Sequence, residues 1–508
     1  MTGTAAPLSP AAGETAPWSA AQVTGKELKR GALINTIAML ASNFRAIFTL
    51  LIARLLGPVA LGLYSVAWAA VDLISKLGVI GLDDAVTTFV ARAEAVGDRY
   101  RSRIYFRVAI IVAVLQSTIV ALLLSFGMRY IGSALRLEPQ LTSALALIVW
   151  CLPGIALYRI STSVSRGIKV MQHDIYTRGL TEPAVTTIGF LAAVAFGAST
   201  FAPELAAIIG SSVSGIVALF LAASLFRGIP PAGGASVKQE AKALVCYALP
   251  IGGDQFLNAF IWRTDVIILG CFVGRAPGVT LTTLGIYGGV VGLANGLRRV
   301  SQPFTPIFMP VVASMTATGA HDEAARTYSR LLEWMLWILL PATAVMILAG
   351  DTIMRIYGPG FQEGGRWLII VAIACATNAF VNLGETAIMV QRPGLNLLNS
   401  VITCLAGCLA TFFLISRFGV MGAAVGILTT YCIQGIIRTI ILRTVFHWPN
   451  PGKDLRPVLI VAGAAILPAA VCRIVFPNIG GQLAAALLCL AVFAGGWFYY
   501  RRTLPLVP

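Results

Sequence analysis

The chain has 508 residues, of which 57% are hydrophobic and only 11% are charged, and its mean hydropathy is +0.84. Soluble domains carry about 25% charged residues, so this chain has too little polar surface to face water on all sides. The net charge of +16 does not indicate nucleic-acid binding, because the basic residues lie in short loops between long apolar stretches. The composition excludes a soluble globular protein and predicts repeated bilayer spans of about 20 residues.

The chain begins with a segment rich in Ala, Pro, Ser and Thr, which lacks the basic start and apolar core of a signal peptide. We predict that residues 1–30 form a disordered cytoplasmic tail. The rest is predicted to be an all-α integral membrane protein with about fourteen transmembrane helices. The predicted spans cover residues 31–56, 59–82, 108–131, 141–160, 183–200, 205–226, 244–272, 284–314, 331–349, 367–390, 397–415, 421–442, 458–476 and 483–499.

The distribution of basic residues predicts the orientation of these spans. If the N-terminus lies inside, the cytoplasmic segments hold about 22 Lys and Arg residues and the outer loops about 8. Positively charged loops stay in the cytoplasm, so we predict that both termini are cytoplasmic. An even number of spans agrees with this orientation.

A short internal repeat divides the chain. Leu-Gly-Leu-Tyr at 61–64 recurs as Leu-Gly-Ile-Tyr at 284–287, an offset of 223 residues. The same offset matches polar residues of the second and eighth spans, Asp72 with Asn295 and Lys76 with Arg299. Repeats of this kind underlie many transporters. We predict two six-helix lobes and two C-terminal helices: an N-lobe at 31–226, a cytoplasmic linker at 227–243, a C-lobe at 244–442, and two extra spans with a cytoplasmic C-terminus at 443–508.

Ionisable residues inside the spans need an explanation, because a charge near the bilayer centre costs on the order of 3 kcal/mol. Helical phase places polar residues on one face of five spans: Asn35, Ser42, Arg45 and Thr49; Asp72 and Lys76; Asp254, Asn258 and Asp265; Asn295, Arg298, Arg299 and Gln302; and Asn378, Asn382 and Glu385. The pattern predicts a hydrated central cavity. Its cations outnumber its carboxylates, which favours an anionic ligand such as phosphate.

The alternative is that these groups form internal ion pairs. Asp72 and Lys76 are the best case, because residues four apart on a helix are neighbours. Arg263 lies about 180° from Asp254, so helical phase does not place it in the cavity. We expect Arg159 and Arg438 to lie near span ends and to extend towards water. Pro303 and two further prolines, Pro306 and Pro310, are expected to bend the eighth span.

No signature of an enzyme is visible. The three histidines, His173, His321 and His447, lie in predicted loops, and the sequence contains no nucleotide-binding glycine loop or catalytic triad pattern. The nine cysteines lie almost entirely within apolar spans, and none has the neighbours that a metal site needs. We therefore predict a non-enzymatic protein without a metal or other cofactor.

Several motifs carry a family resemblance. Ala-Arg-Leu-Leu-Gly-Pro at 53–58, the tetrapeptide at 61–64 and Gly-Val-Ile-Gly-Leu-Asp at 78–83 resemble the opening of the oligosaccharide flippases. Thr-Asp-Val-Ile-Ile-Leu-Gly at 264–270, followed by the tetrapeptide at 284–287, is similar to the seventh and eighth spans of that family. These flippases, which handle polysaccharide repeat units, belong to the multidrug/oligosaccharidyl-lipid/polysaccharide exporter superfamily. The sequence lacks the patterns of the lipid II flippase branch and of the drug exporters.

The resemblance implies a flippase of the bacterial plasma (inner) membrane. Such a protein moves a polyprenyl-diphosphate-linked oligosaccharide to the outer leaflet by alternating access, for cell-surface polysaccharide synthesis. Membrane lipids and the polysaccharide polymerase and chain-length machinery are its expected partners. The alternatives are a cation-coupled exporter of small molecules and a non-transporting scaffold of a polysaccharide assembly complex.

Within this hypothesis we assign roles to the polar residues of the spans. The residues expected to hold the diphosphate are Arg45, Lys76, Arg298 and Arg299. Those expected to meet sugar hydroxyls are Asn43, Asn258, Asn295 and Gln302. Carboxylates expected to bind a coupling ion, H⁺ or Na⁺, or to pair with the arginines are Asp72, Asp254, Asp265 and Glu385.

Overall fold

The computed structural model describes residues 44–197, 201–228, 236–305, 321–449 and 452–503, together with 308–309, 312 and 314–315. Every regular element in these ranges is a helix, which confirms the prediction of an all-α membrane protein. The predicted tail at 1–30 lies outside the described residues, as do Asn35, Ser42, Asn43 and part of the linker at 227–243. The division into two lobes stays a prediction.

In the described residues of the first half the chain forms eight α-helices. They are α1, Phe44–Val79; α2, Leu82–Ala95; α3, Arg99–Ala134; α4, Pro139–Ile148; α5, Cys151–Gly167; α6, Gln172–Asp174; α7, Glu182–Ala195; and α8, Ala202–Ser224. A π-helical turn, Ile175–Thr181, joins α6 to α7. Helices α5, α7 and α8 pack side by side, and α2 packs against α3 and α5.

Eight further α-helices have described bounds in the second half. They are α9, Val237–Cys271; α10, Leu281–Arg298; α11, His321–Leu348; α12, Gly350–Met354; α13, Gly364–Gln391; α14, Pro393–Thr444; α15, Gly452–Val475; and α16, Ile479–Thr503. The 3₁₀ turns are Arg299–Ser301, Arg355–Tyr357 and Phe361–Glu363. Helices α9, α10, α13 and α14 pack together, whereas α15 and α16 pack against α11.

Two long helices each contain a sharp break at a glycine. Gly57 in α1 has φ 81° and ψ −174°, and Gly419 in α14 has φ 57° and ψ −131°. A positive φ is available to glycine at little cost, because it has no Cβ. The breaks lie where the first and second, and the eleventh and twelfth, predicted spans meet. Ten stretches of the described chain are long and apolar enough to cross a membrane, so the count of fourteen stays a prediction.

Prolines interrupt two spans that the sequence analysis drew as continuous. The fourth predicted span, 141–160, is broken at residues 149–150 between α4 and α5. Pro153 explains the break, because its ring clashes with the carbonyl four residues earlier, at Val149. Pro303 acts in the same way on Arg299, and α10 ends at Arg298 instead of continuing to residue 314. The α-helix is thus interrupted over residues 299–304, and the described residues between 305 and 315 are again helical; Pro306 and Pro310 lie outside the described residues.

The two copies of the repeated tetrapeptide face each other where α1 crosses α10. A Cβ on Gly62 would lie 2.6 Å from the carbonyl oxygen of Leu281 and 2.9 Å from the backbone nitrogen of Gly285. A Cβ on Gly285 would overlap the carbonyl oxygen of Pro58. Only glycine lets two helix backbones approach this closely, as small residues do at helix contacts in membranes. The repeat therefore marks a contact between the two halves of the chain.

A second close crossing lies at the other end of α1. Gly81, between α1 and α2, has φ 70°, and a Cβ there would lie 2.5 Å from the carbonyl oxygen of Ala248 on α9. A Cβ on Gly252 would lie 2.6 Å from the backbone of Ile80. Residues 62 and 81 are about 28 Å apart along the helix axis at 1.5 Å per residue. The two halves of the chain thus touch near both ends of the second half of α1.

Replacing Gly285 by Ala should destabilise the protein, because the new methyl group overlaps the Pro58 carbonyl. We expect the free energy of unfolding to fall by about 1–3 kcal/mol, the usual cost of overpacking. Gly296→Ala on the same helix is the matched control, since nothing lies within 4 Å of its Cβ position. Thermal unfolding of both variants in detergent would measure the difference, and equal midpoints would contradict the described crossing.

Candidate functional site

A cavity of about 760 Å³ lies along α1 between the two glycine crossings. Its walls come from α1 in the first half of the chain and from α9, α10 and α13 in the second half. The polar and aromatic residues that line it are Thr49, Tyr64, Ser65, Trp68, Asp72, Trp262, Arg263, Asn295, Arg298, Arg299, Ser301, Gln302, Thr305, Asn378 and Asn382. Three of these helices, α1, α9 and α13, are long and apolar enough to cross a membrane, so much of this polar surface lies on candidate membrane spans.

The charges on the described cavity wall are predominantly positive. Three arginines, Arg263, Arg298 and Arg299, face one carboxylate, Asp72. Guanidinium groups cannot lose their protons in proteins, so this excess of positive charge is permanent. The arrangement suits an anion with at least two charges, and phosphate matches the planar fork of arginine well.

Arg298 is held in place from two sides. Its Nη1 donates a hydrogen bond of 2.8 Å to the hydroxyl of Tyr431 on α14, and its guanidinium lies 4.8 Å from the ring centre of Trp262 on α9. The cation–π contact stabilises the charge without neutralising it. Arg298 closes α10 just before the Pro303 break, and this position brings it and Arg299 to the cavity together.

Asp72 pairs with a residue that sequence reasoning had set aside. Its Oδ2 accepts hydrogen bonds from Nε of Arg263 at 3.0 Å and from Nη2 at 2.9 Å. Arg159 is a second, longer neighbour, with Nη2 4.0 Å from Oδ1. The predicted pair of Asp72 with Lys76 is not formed; Lys76 is half-buried one turn further along α1 and is not among the residues that line the cavity.

Helix α9 presents to the cavity the face opposite to the one expected. Trp262, Arg263 and Val266 line the cavity, whereas Asp254, Asn258 and Asp265 do not. The sequence analysis had expected the Asp254 face because it carries the larger number of polar residues, and Arg263 lies on the other side of the helix from it. Asp265 is 2% exposed and accepts a hydrogen bond of 2.7 Å from the hydroxyl of Tyr287.

The carboxylates away from the cavity have local partners. Asn258 donates to Asp254 Oδ2 at 3.2 Å, one turn along the same helix. Glu385 on α13 accepts from Arg438 Nη2 on α14 at 2.5 Å, and Arg438 is 1% exposed. Arg438 is thus deeply buried in an ion pair. The expectation that it extends from a span end towards water was wrong. No group of three His, Cys, Asp or Glu side chains suited to a metal occurs in the described part of the chain.

Amides line the remainder of the cavity. Asn295 and Gln302 face it as predicted from their phase with Arg299, and Asn378 and Asn382 join them from α13. Asn378 donates to Gln434 at 3.2 Å, and Asn382 donates to Ser301 at 3.4 Å. Of the other predicted ligands, Arg45 lies in the first turn of α1, and Asn43 lies outside the described residues.

Two cavity residues carried a signal that the sequence analysis did not use. Trp262 and Arg263 adjoin on α9, and Trp68 lies one turn before Asp72 on α1. An arginine inside an apolar span is costly, and a tryptophan is bulky. Their joint occurrence on α9 could therefore have indicated the side of this helix that faces the cavity. Tyr431 gave no such signal, because a lone tyrosine in a span is common near interfaces.

The sequence of the chain matches that of a known protein family. The sequence profile described as "Polysaccharide biosynthesis protein" matches residues 28–315, which is more than half of the chain. The chain belongs to this family. The family resemblance predicted from the motifs of the first, second, seventh and eighth spans is thereby confirmed.

Two curated relatives are similar to this polysaccharide biosynthesis family member. Stage V sporulation protein B of Bacillus subtilis is 22% identical over 401 residues, which cover 74% of this chain and 76% of the relative. The probable flippase AglR of Haloferax volcanii is 23% identical over 217 residues, which cover 42% of this chain and 43% of AglR. The second match therefore concerns less than half of either protein.

Solved structures share the fold. The lipid II flippase MurJ in an inward closed conformation superposes with a TM-score of 0.68 at 12% identity, over 93% of this chain and 99% of MurJ. An inward-facing multidrug resistance transporter of the MATE family, itself of the MOP superfamily, gives a TM-score of 0.68 at 11% identity, over 82% of this chain and 98% of the transporter. The chain is thus a multi-pass membrane protein with the fold of these transporters.

The Glu385–Arg438 pair should be needed for stability. Glu385→Ala leaves the buried guanidinium of Arg438 without its carboxylate, so we expect the free energy of unfolding to fall by about 3–5 kcal/mol. The double variant Glu385→Leu with Arg438→Met should recover most of this loss, because it removes both charges. Denaturant unfolding measures both. If Glu385→Ala leaves stability unchanged but alters the cation dependence of transport, the pair is a coupling site instead.

Proposed function

We propose that the protein is a flippase for a polyprenyl-diphosphate-linked oligosaccharide. It moves the lipid-linked sugar from the cytoplasmic to the outer leaflet by alternating access, and it supplies cell-surface polysaccharide synthesis. The observation that carries the proposal is the cavity in which Arg263, Arg298 and Arg299 face a single carboxylate on membrane-spanning helices. The family match and the names of the relatives, a flippase among them, support the substrate class.

The cavity offers a suitable place for both parts of the head group. Arg298 and Arg299 present the permanent charge that a diphosphate needs, and Arg298 is already oriented by Tyr431 and Trp262. Asn295 and Gln302 lie on the same wall and provide amide donors and acceptors for sugar hydroxyls. The lipid tail remains in the bilayer, where each buried methylene contributes about 0.8 kcal/mol.

The two glycine crossings support alternating access. The cavity-lining residues of α1 between Ser65 and Asp72 lie between the crossing at Gly62 and the crossing at Gly81. Each crossing joins the two halves of the chain at a different end of the cavity. Opening one crossing while the other remains closed would expose the cavity to one side of the membrane at a time.

The energy source belongs to the proposal as well. An inside-negative membrane potential favours outward movement of an anion by about 2.3 kcal/mol per charge at 100 mV. Coupling to H⁺ or Na⁺ would have to use carboxylates such as Asp254, Asp265 or Glu385, which have local partners. We therefore propose that the potential suffices to drive the diphosphate outward, and that the protein acts without a cofactor and without enzymatic activity.

Location and partners follow from the same proposal. The proposed flippase acts in the bacterial plasma membrane, and the distribution of Lys and Arg favours both termini in the cytoplasm. A flippase of this kind delivers its product to the polysaccharide polymerase and chain-length machinery, which are its proposed partners.

Two rival functions make different demands on the cavity. A cation-coupled exporter of small cationic compounds shares the fold of the MATE transporter but needs a cavity with negative charge, contrary to the three arginines. A scaffold for polysaccharide assembly needs no cavity at all, so its cavity arginines could be replaced without consequence.

Arg298→Gln and Arg299→Gln should each reduce translocation of the lipid-linked oligosaccharide by about ten- to a hundredfold. Each removes charge-assisted hydrogen bonds worth about 1.5–3 kcal/mol. The measurement is translocation in cells that lack their own flippase, with equal amounts of each variant in the membrane. Arg417→Gln is the control, because Arg417 is an exposed arginine beside Phe413 and outside the cavity. Full activity of both cavity variants would favour the scaffold.

A further inference from the structure

An ion pair inside the cavity joins the two halves of the chain. Asp72 lies on α1 and Arg263 on α9, and both side chains line the cavity. One carboxylate oxygen, Oδ2, accepts from both Nε and Nη2 of Arg263, at 3.0 and 2.9 Å. Asp72 therefore occupies the edge of the guanidinium that is best shaped to receive an oxyanion. Any anion that binds Arg263 through this edge has to displace Asp72.

The second oxygen of Asp72 faces a different arginine. Oδ1 lies 4.0 Å from Nη2 of Arg159 on α5, a helix in the same half of the chain as α1. The other terminal nitrogen of Arg159, Nη1, is buried and has no hydrogen-bond partner among the described residues. A buried donor without an acceptor is costly, so Arg159 gains from any approach of a carboxylate. Asp72 thus has a waiting partner within its own half of the protein.

The charge balance of the cavity depends on where Asp72 points. While Asp72 pairs with Arg263, two arginines, Arg298 and Arg299, are the remaining cations of the described cavity wall. If Asp72 turned to Arg159, Arg263 would become a third. Three guanidinium groups close together repel one another unless an anion lies between them. A diphosphate supplies that anion, and carboxylate and phosphate compete for the same donors.

We propose that Arg263 is a further phosphate-binding residue of the cavity and that Asp72 is its internal competitor. The proposal rests on the function proposed above. A diphosphate group takes the Arg263 edge, and Asp72 moves to Arg159. Because the Asp72–Arg263 pair also connects α1 to α9, the exchange removes one contact between the two halves of the chain. Binding of the head group thereby loosens the two halves at the cavity.

Binding of farnesyl diphosphate to the purified full-length protein tests the competition. Asp72→Asn should tighten binding about tenfold, because the competing charge is removed. Arg263→Gln should weaken it about tenfold, and the double variant should behave like Arg263→Gln alone. Asp174→Asn is the matched control: it breaks the ion pair with Arg178, 3.7 Å long and outside the cavity, and should leave the affinity unchanged.

Arg159 provides an independent test of the exchange. Arg159→Gln removes the destination of Asp72 and should weaken binding in the wild-type background. In the Asp72→Asn background the same substitution should have little effect, since no carboxylate has to move. Arg263→Lys keeps the charge but loses the planar guanidinium with its paired donors. The affinity of this variant should lie between those of the wild type and of Arg263→Gln. This variant decides the question if Arg263→Gln does not fold.

Three results would overturn the inference. Asp72→Asn could weaken binding, which would make the ion pair a structural support of the site. Its tightening could persist in the Arg263→Gln background, which would make it a general effect of charge. Arg298→Gln and Arg299→Gln could weaken binding while the Asp72 and Arg263 variants do not, which would leave the proposed function intact. No binding of farnesyl diphosphate to the wild type would remove the proposed function together with the inference.

Discussion

A charged side chain inside a bilayer has to meet either an opposite charge or water, and this constraint organises the polar residues of the chain. Arg438 meets it by burial against Glu385, at a contact between α13 and α14. Arg298 and Arg299 meet it at the wall of a cavity. Arginines in the spans thus serve two purposes, as members of a buried ion pair or as charges at a cavity wall, and the surrounding residues decide which. The cavity arginines line a space in which a ligand could share their charge.

Local chemistry made much of the fold predictable, because glycine and proline act on the backbone whatever surrounds them. The boundary between the first two spans falls at Gly57, and the eighth span weakens at its prolines, both visible in the sequence. Helical phase was also predictable, because each residue of an α-helix is rotated by about 100° from the one before. Which face of α9 meets the cavity was not, because that depends on the neighbouring helices. The place of Arg263 in the cavity wall therefore became visible only from helix packing. The places of Asn295, Arg299 and Gln302 could be predicted from helical phase.

Two contacts orient the guanidinium of Arg298 before any anion binds. Tyr431 and Trp262 hold Arg298 from α14 and α9, so its guanidinium does not need to be ordered when an anion arrives. Orientation before binding reduces the entropy that binding would otherwise lose. The Asp72–Arg263 pair differs, because its members come from the two halves of the chain and change partners in the exchange that we propose. The wall thus combines a fixed cation with an exchangeable one.

The contact between Gly62 and Gly285 explains why the most recognisable motif says little about the sugar. Each copy of the tetrapeptide fits against the backbone of the other, so a larger residue in one copy obstructs both. The two copies constrain each other and not the cargo. Tyr64 at the end of the first copy and, further along α1, Ser65, Trp68 and Asp72 line the cavity. The motif that identifies the family and the residues that line the cavity therefore lie in adjacent turns of the same helix.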